Sequence, residues 1–84
     1  MRIYLQTPPA ADTPPRFCHL ILQQDLLGGW NVVRESGSQG GSGRLRREHF
    51  DDRDSAIQAL IRLRDAQLRR GYQVVFVQGQ GGPE

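Results

Sequence analysis

The sequence has no lysine, a single cysteine and no apolar run that approaches the roughly 20 residues needed to cross a bilayer. With Cys18 alone, neither an internal disulfide nor a closed zinc site can form. A phosphate-binding P-loop requires lysine, and the glycine spacing of a dinucleotide-binding loop is also missing, so both motifs are excluded. The first residues lack the apolar stretch of a secretion signal, and we expect a cytoplasmic protein with no membrane association.

The residues that are present suit one small domain. The 84 residues are 37% hydrophobic and 24% charged, an ordinary balance for a globular chain. All 11 basic residues are arginine, yet the formal net charge is only +2. The planar guanidinium group of arginine matches phosphate oxygens, which is one explanation for the exclusive use of arginine. The other is a genome rich in G and C, which favours arginine codons whatever the protein binds. Composition leaves both explanations open. The excess positive charge lies in residues 34–50, which carry four Arg against two Glu.

The pattern of apolar residues predicts an α+β fold, a small antiparallel β-sheet of four to five strands with one long α-helix packed across one face. Strands are expected over residues 3–6, 16–23, 30–35, 44–50 and 72–77, and the second is expected to be central because both its faces are largely apolar. A proline-rich connection, residues 7–15, and a loop of glycine and serine, residues 36–43, interrupt them. We expect one domain over residues 1–77 and a flexible tail over residues 78–84.

The segment between the last two strands has the strongest helical signal. Asp51 or Asp52 can cap its first turn, and Gly71 can end it. Its apolar stripe should face the sheet, while Asp65 and Arg69 have ion-pair spacing on the opposite side. The stripe consists of Ala56, Ile57, Ala59, Leu60, Leu63 and Leu68.

Few residues offer a route to catalysis. Cys18 and His19 are neighbours in a predicted strand, so their side chains point to opposite faces and cannot act as a nucleophile and its base. Three aspartates in residues 51–54 cluster where a helix N-terminus favours carboxylates. We therefore expect a protein that is not an enzyme, with no catalytic residue, no cofactor and no metal ligand.

The glycine-rich loop is the main candidate site. Up to four guanidinium groups can surround its backbone amides, and such a grouping suits an anion. The alternative is that these arginines are solvated charges of an edge strand, which prevent aggregation between sheets. The predicted nucleic-acid-binding residues are Arg34, Gly37, Gly40, Gly43, Arg44, Arg46 and Arg47.

The order of residues from Asp25 to Arg44 resembles the central segment of bacterial WGR domains, which are named for a Trp-Gly-Arg triplet. In that family a glycine-punctuated loop leads to a strand and then to a helix that ends in Gly-Tyr. The corresponding positions are Ala56 and Leu60 in the helix, Gly71 and Tyr72 at its end, and Tyr4 and Phe17 in the opening strands. The resemblance covers about residues 1–76.

The defining triplet is changed in this chain. When the loop glycines are aligned, Ser36 stands in place of the Trp and Ser38 in place of the Arg, and Gln67 replaces a Lys often found late in the helix. WGR domains occur in DNA-dependent poly(ADP-ribose) polymerases, where they contact DNA and neighbouring domains, and in bacterial regulators or stand-alone proteins. There the Trp can stack on a strand end and the Arg can contact phosphate, which serine cannot do.

The resemblance implies a non-enzymatic module. The remaining arginines and the loop amides predict weak binding to the phosphate backbone of DNA or RNA, without sequence preference. The alternative is a protein-interaction or regulatory module that kept the fold and lost nucleic-acid binding. An exposed apolar patch near residues 72–77 would favour that alternative.

Overall fold

The computed structural model describes residues 1–79, and this part of the chain forms five strands and one helix. The elements are β1 (Arg2–Gln6), β2 (Arg16–Gln24), β3 (Trp30–Ser38), β4 (Gly43–Phe50), α1 (Arg53–Arg69) and β5 (Gln73–Gln78). The strands form one sheet in the order β4-β3-β2-β1-β5, and each neighbouring pair is antiparallel. The predicted α+β fold is confirmed. The predicted tail began at residue 78, but Gln78 is the last residue of β5, and residues 80–84 lie outside the described part.

The helix carries the chain from one edge of the sheet to the other. β4 and β5 are the two edge strands, and α1 connects them by crossing one face, where it lies mainly over β2 and β3. The core fills the space beneath it, because alternate residues of β1, β2 and β3 point to the same side. Its buried members are Ile3, Leu5, Cys18, Leu20, Leu22, Val32, Ala56, Ala59 and Leu60.

The two ends of α1 are capped by local hydrogen bonds. Asp52 is the N-cap, and one of its carboxylate oxygens accepts from the backbone N–H of Ser55 at 2.9 Å. At the other end Gly71 has φ +95°, and its N–H donates to the carbonyl of Leu68 while that of Tyr72 donates to the carbonyl of Gln67, both at 3.0 Å. This pair of bonds is a Schellman motif, which satisfies carbonyl groups that the helix leaves open.

Two details of the predicted helix are wrong. Leu68 is 42% exposed, whereas Gln67 is buried, because a stripe through Leu60 and Leu63 reaches Gln67 after one further turn. The expected ion pair between Asp65 and Arg69 is replaced by one with Arg64, whose guanidinium donates to the Asp65 carboxylate at 2.9 Å.

The glycine-rich loop is shorter than the sequence predicts. β3 continues to Ser38 and β4 begins at Gly43, so only four residues connect them. Gly37 continues the ladder because it has a partner on each side, Phe17 in β2 and Gly43 in β4. The reversal is made by Gly40, which has φ +81° in a turn closed by a 3.0 Å hydrogen bond from the Gly41 N–H to the Ser38 carbonyl.

Candidate nucleic-acid interface

The register between β3 and β4 brings three arginines to the side of the sheet that carries the helix. Arg34 lies directly opposite Arg46, and Ser36 lies opposite Arg44. In the neighbouring pair of strands, Arg34 lies opposite the fully buried Leu20. Since residues directly opposite each other share a face, the three guanidinium groups rise beside the helix rather than from the far side of the sheet.

These arginines line a cavity of about 630 Å³ between the ends of β3 and β4 and the C-terminal end of α1. Arg16 from β2 and Arg70 after α1 complete a set of five arginines around it, and no described lining residue is acidic. We call this cavity the basic groove. Its lining consists of Arg16, Arg34, Ser36, Gly37, Ser38, Ser42, Gly43, Arg44, Arg46, Gln67, Arg70 and Tyr72.

The basic groove concentrates like charge at a cost to the fold. Directly opposed like charges on one face of a sheet are destabilising. Among the described residues, the arginines of the groove form no ion pair, since the only arginine–carboxylate bridge there is Arg64 with Asp65. The arrangement therefore has the electrostatics of an anion site with several guanidinium donors available to the ligand.

Protection of an edge strand explains only part of this charge. Arg44 and Arg46 do lie on β4, an edge strand, where such charges discourage sheet-to-sheet pairing. Arg34 lies on β3, which is paired on both sides, and Arg16 lies on the central strand β2. Arg70 follows the helix. Three of the five arginines thus have no edge to protect, which favours the anion-binding explanation.

The C-terminal end of the helix is compatible with an anion in the groove. Unsatisfied carbonyls at this end of a helix would repel negative charge. Here the carbonyls of Gln67 and Leu68 accept hydrogen bonds from the N–H groups of the Schellman motif and of Arg70. The same motif places the ring of Tyr72 and the side chain of Arg70 in the lining.

The three predicted glycines occupy two different situations. Gly37 and Gly43 face each other across β3 and β4 and line the basic groove, whereas Gly40 lies in the turn and is not part of the lining. A Cβ added at Gly37 would come within 2.9 Å of the Ser42 carbonyl oxygen, so this position requires glycine. Because Gly37 lies between two paired strands, its backbone groups belong to the sheet, and the guanidinium groups are the donors that a ligand would meet here.

Arg47 is separated from the other predicted arginines. Its partner across the sheet is Val33, one position out of phase with the pair of Arg34 and Arg46, so its side chain starts from the opposite face. Arg47 borders an adjoining cavity of about 540 Å³ together with Arg34, Arg46 and the acidic Glu48. Of the seven predicted residues, five line the basic groove.

The sequence prediction missed Arg16, Arg70 and Tyr72. Arg16 is 18 residues from Arg34 in the chain and joins the groove because β2 pairs with β3 up to Ser38. Arg70 directly follows the last residue of α1. Its position beside β3 depends on how far α1 extends across the sheet, which no local pattern reports.

The structure places Cys18 and His19 on opposite faces. Cys18 is 1% exposed, and burial raises the pKa of its thiol, although the charge of Arg34 acts in the other direction. A buried, neutral thiol is a poor nucleophile.

His49 lies between two carboxylates, 3.3 Å from that of Asp25 and 3.5 Å from that of Asp51. Within residues 1–79, no group of three or more metal-ligating side chains is close enough to hold an ion.

Seven of the twelve residues that line the groove come from the segment Asp25–Arg44, which carries the family resemblance. Comparison with known families identifies the family of the domain. The model of the WGR domain family matches residues 1–78. The chain belongs to the WGR domain family. WGR domains are associated with nucleic-acid binding and are not catalytic by themselves. No curated protein matches the chain. Ser36 and Ser38, which the sequence analysis aligns with the Trp and Arg of the triplet, both line the basic groove.

No helix within the described residues of this WGR domain is both long enough and apolar enough to span a bilayer.

Proposed function

We propose that this WGR domain binds the phosphate backbone of nucleic acids through the basic groove, weakly and without preference for base sequence. The observation that carries the proposal is a single cavity whose lining, among the described residues, contains five arginines and no acidic residue. Neutralisation of phosphates by arginine releases counterions from the nucleic acid, and this term does not depend on sequence. Phosphate contacts position a protein, whereas base contacts would be needed for specificity.

The weakness follows from the changed triplet. An aromatic ring that stacks on a base contributes about 1–3 kcal/mol, and Ser36 offers no ring. Tyr72 is an aromatic residue of the groove, but it is partly buried and packs against the hydrophobic core. The groove therefore supplies charge and hydrogen bonds with little surface for stacking.

The test is a titration of labelled single-stranded DNA, duplex DNA and RNA at several salt concentrations, followed by fluorescence anisotropy. The double variant Arg44→Gln/Arg46→Gln should weaken binding and reduce the slope of log K against log salt by about 2 for duplex DNA, because each lost phosphate contact removes about 0.9. The matched control, Arg62→Gln/Arg69→Gln, removes the same charge from helix positions outside the groove lining and should preserve the slope.

Two results would contradict the proposal. Binding that does not depend on salt would show that phosphate contacts are not responsible. Equal losses in the two double variants would show that net charge, rather than the groove, determines affinity.

A second measurement locates the interface. On addition of nucleic acid, the backbone amide shifts in NMR spectra should cluster on residues 34–47 and around Arg16 and Arg70. Arg47→Gln should reduce these shift changes less than Arg46→Gln.

The alternative function, a protein-interaction or regulatory module, is supported by a different surface. The strand over residues 73–78 exposes four large apolar side chains, with exposed fractions between 42% and 57%. Exposed apolar patches of this kind mark contact surfaces. If none of the nucleic acids binds at low salt, this alternative becomes the better account of the domain.

A further inference from the structure

One polar side chain of the basic groove is buried. Gln67 is only 6% exposed, and within the described part of the chain no other polar or charged residue is buried to this extent. It lies on the helix face that meets the sheet, one turn beyond Leu63, and it lines the groove. An apolar residue would suit such a position better, because burial of an amide costs free energy unless hydrogen bonds replace those it made to water.

The side-chain amide of Gln67 has no partner in the fold. Among residues 1–79, no hydrogen bond joins its Nε2 or Oε1 atom to another group, although its backbone carbonyl accepts from Arg70 and Tyr72. In the same range, the only fully buried polar side-chain atom without a partner is Nε2 of His19, so both amide atoms of Gln67 keep access to the groove. Buried polar groups are normally paired. An amide that is open only toward a cavity is available to a ligand there.

This amide can accept a hydrogen bond as well as donate one, which sets it apart from the arginines around it. Guanidinium groups only donate and phosphate oxygens only accept, so the arginines of the groove and a phosphate satisfy each other. The Nε2 group of Gln67 can join them as one more donor to phosphate. Its Oε1 atom cannot, because phosphate offers no proton, and it therefore requires a donor from another part of the ligand.

Among nucleic-acid backbones, RNA brings such a donor and DNA does not. The phosphate and deoxyribose oxygens within a DNA strand all accept, whereas each ribose of RNA carries a 2′-hydroxyl that also donates. This hydroxyl is on the carbon next to the one that bears the 3′ phosphate, so a phosphate held by the arginines brings it close to the same lining. A base can donate too, but the groove has little ring surface to hold one, because Tyr72 is partly buried against the core.

We propose that the basic groove prefers RNA to DNA because the amide of Gln67 accepts a hydrogen bond from a ribose 2′-hydroxyl. This preference rests on the proposed function, since phosphate contacts must first bring a backbone into the groove. It selects the sugar and leaves the base sequence unread. One such hydrogen bond should favour RNA by about 2- to 10-fold in affinity.

Oligo(U) and oligo(dU) of equal length test the preference, because they share the base and differ only at the 2′ position. Fluorescence anisotropy at low salt should show that oligo(U) binds about 2- to 10-fold more tightly. A 2′-fluoro oligo(U) keeps the pucker of ribose but cannot donate, so it should bind like oligo(dU). Equal affinities for oligo(U) and oligo(dU), or a 2′-fluoro strand that binds as tightly as oligo(U), overturn the proposal.

Matched leucine variants locate the preference. Gln67→Leu removes the amide at nearly constant size, so it should lower the affinity for oligo(U) to about that for oligo(dU) and leave the salt slope unchanged. Because the amide has no partner in the fold, the urea midpoint of this variant should not fall, which checks that it is folded. Gln58→Leu removes the amide of an exposed helix residue outside the groove lining and should keep the preference. A preference that survives Gln67→Leu, or is lost equally in both variants, overturns the assignment to Gln67.

The side-chain amide signals of Gln67 report the contact directly. These NMR signals, identified by their absence in Gln67→Leu, should shift more with oligo(U) than with oligo(dU), and equal shifts contradict the contact.

Failure of the sugar preference is distinguishable from failure of the proposed function. If both oligonucleotides bind equally and with the expected salt slope, the groove binds phosphate and only the preference for RNA is wrong. If neither oligonucleotide binds at low salt, the proposed phosphate binding is wrong, and the preference is overturned with it.

Discussion

The direct opposition of Arg34 and Arg46 predicts that the fold gains stability when either charge is removed, although anion binding is weakened. Opposed side chains in an antiparallel pair have Cβ atoms about 4.5–5.5 Å apart, and such pairs contribute about 0.2–1 kcal/mol. Arg46 is exposed, so the repulsion belongs to the lower, solvent-screened range. For a domain of this size, 1 kcal/mol corresponds to about 4–8 °C in Tm, so Arg46→Gln should raise Tm by a few degrees at low salt.

A double-mutant cycle isolates the pair. Arg34→Gln, Arg46→Gln and the double variant are compared by urea unfolding, and the two substitutions should together stabilise the fold by less than the sum of their separate effects. The coupling should shrink toward zero in 1 M salt, where the Debye length is about 3 Å. A coupling of zero at low salt, or one that shows attraction between the two arginines, would refute the electrostatic reasoning. The same variants should bind DNA less tightly, which separates stability from function.

Three further predictions concern the scaffold. Leu60 is 1% exposed beneath the helix, so Leu60→Ala should lower the free energy of unfolding by about 2–5 kcal/mol in urea titrations, and a loss below 1 kcal/mol would contradict its place in the core. Burial and the nearby charge of Arg2 lower the pKa of His19 below 6.5, against a smaller opposing effect of Glu35. Because the unfolded chain then binds a proton more readily than the folded state, Tm should fall as pH drops below 6.5. His19→Gln should reduce that fall. Hydrogen bonds from Ser55 lower the pKa of Asp52 below 3.8. The ionised carboxylate therefore stabilises the fold at neutral pH, and this contribution is lost as pH falls through the lowered pKa. Asp52→Asn should keep the helix cap but show a weaker acid transition by circular dichroism.

Much of the fold is predictable from local patterns. The central place of β2 follows from its two apolar faces, and the helix follows from its stripe together with Asp52 and Gly71. The loop prediction failed at Gly37, because low strand propensity counts for little when strands on both sides supply hydrogen bonds. The prediction at Leu68 failed because apolarity alone does not fix which side of a helix turn meets the sheet.

The candidate site is only partly predictable. Arg34, Arg44 and Arg46 flank one loop in sequence, and their common face follows once the register of β3 and β4 is known. Arg16 and Arg70 come from distant parts of the chain and meet them only in the folded domain. The sequence prediction also grouped Arg47 with Arg44 and Arg46, although its side chain starts on the opposite face of the sheet.

The sequence by itself determined the family, the order of elements and the absence of lysine, disulfide and P-loop chemistry, because these depend on residue identity and local spacing. It also determined that β5 lacks charge. Only the tertiary structure decided that five arginines share one cavity and that β5 lies at an open edge. Both facts depend on strand order, register and the path of α1 across the sheet, which arise from long-range packing and hydrogen bonding rather than from any short segment.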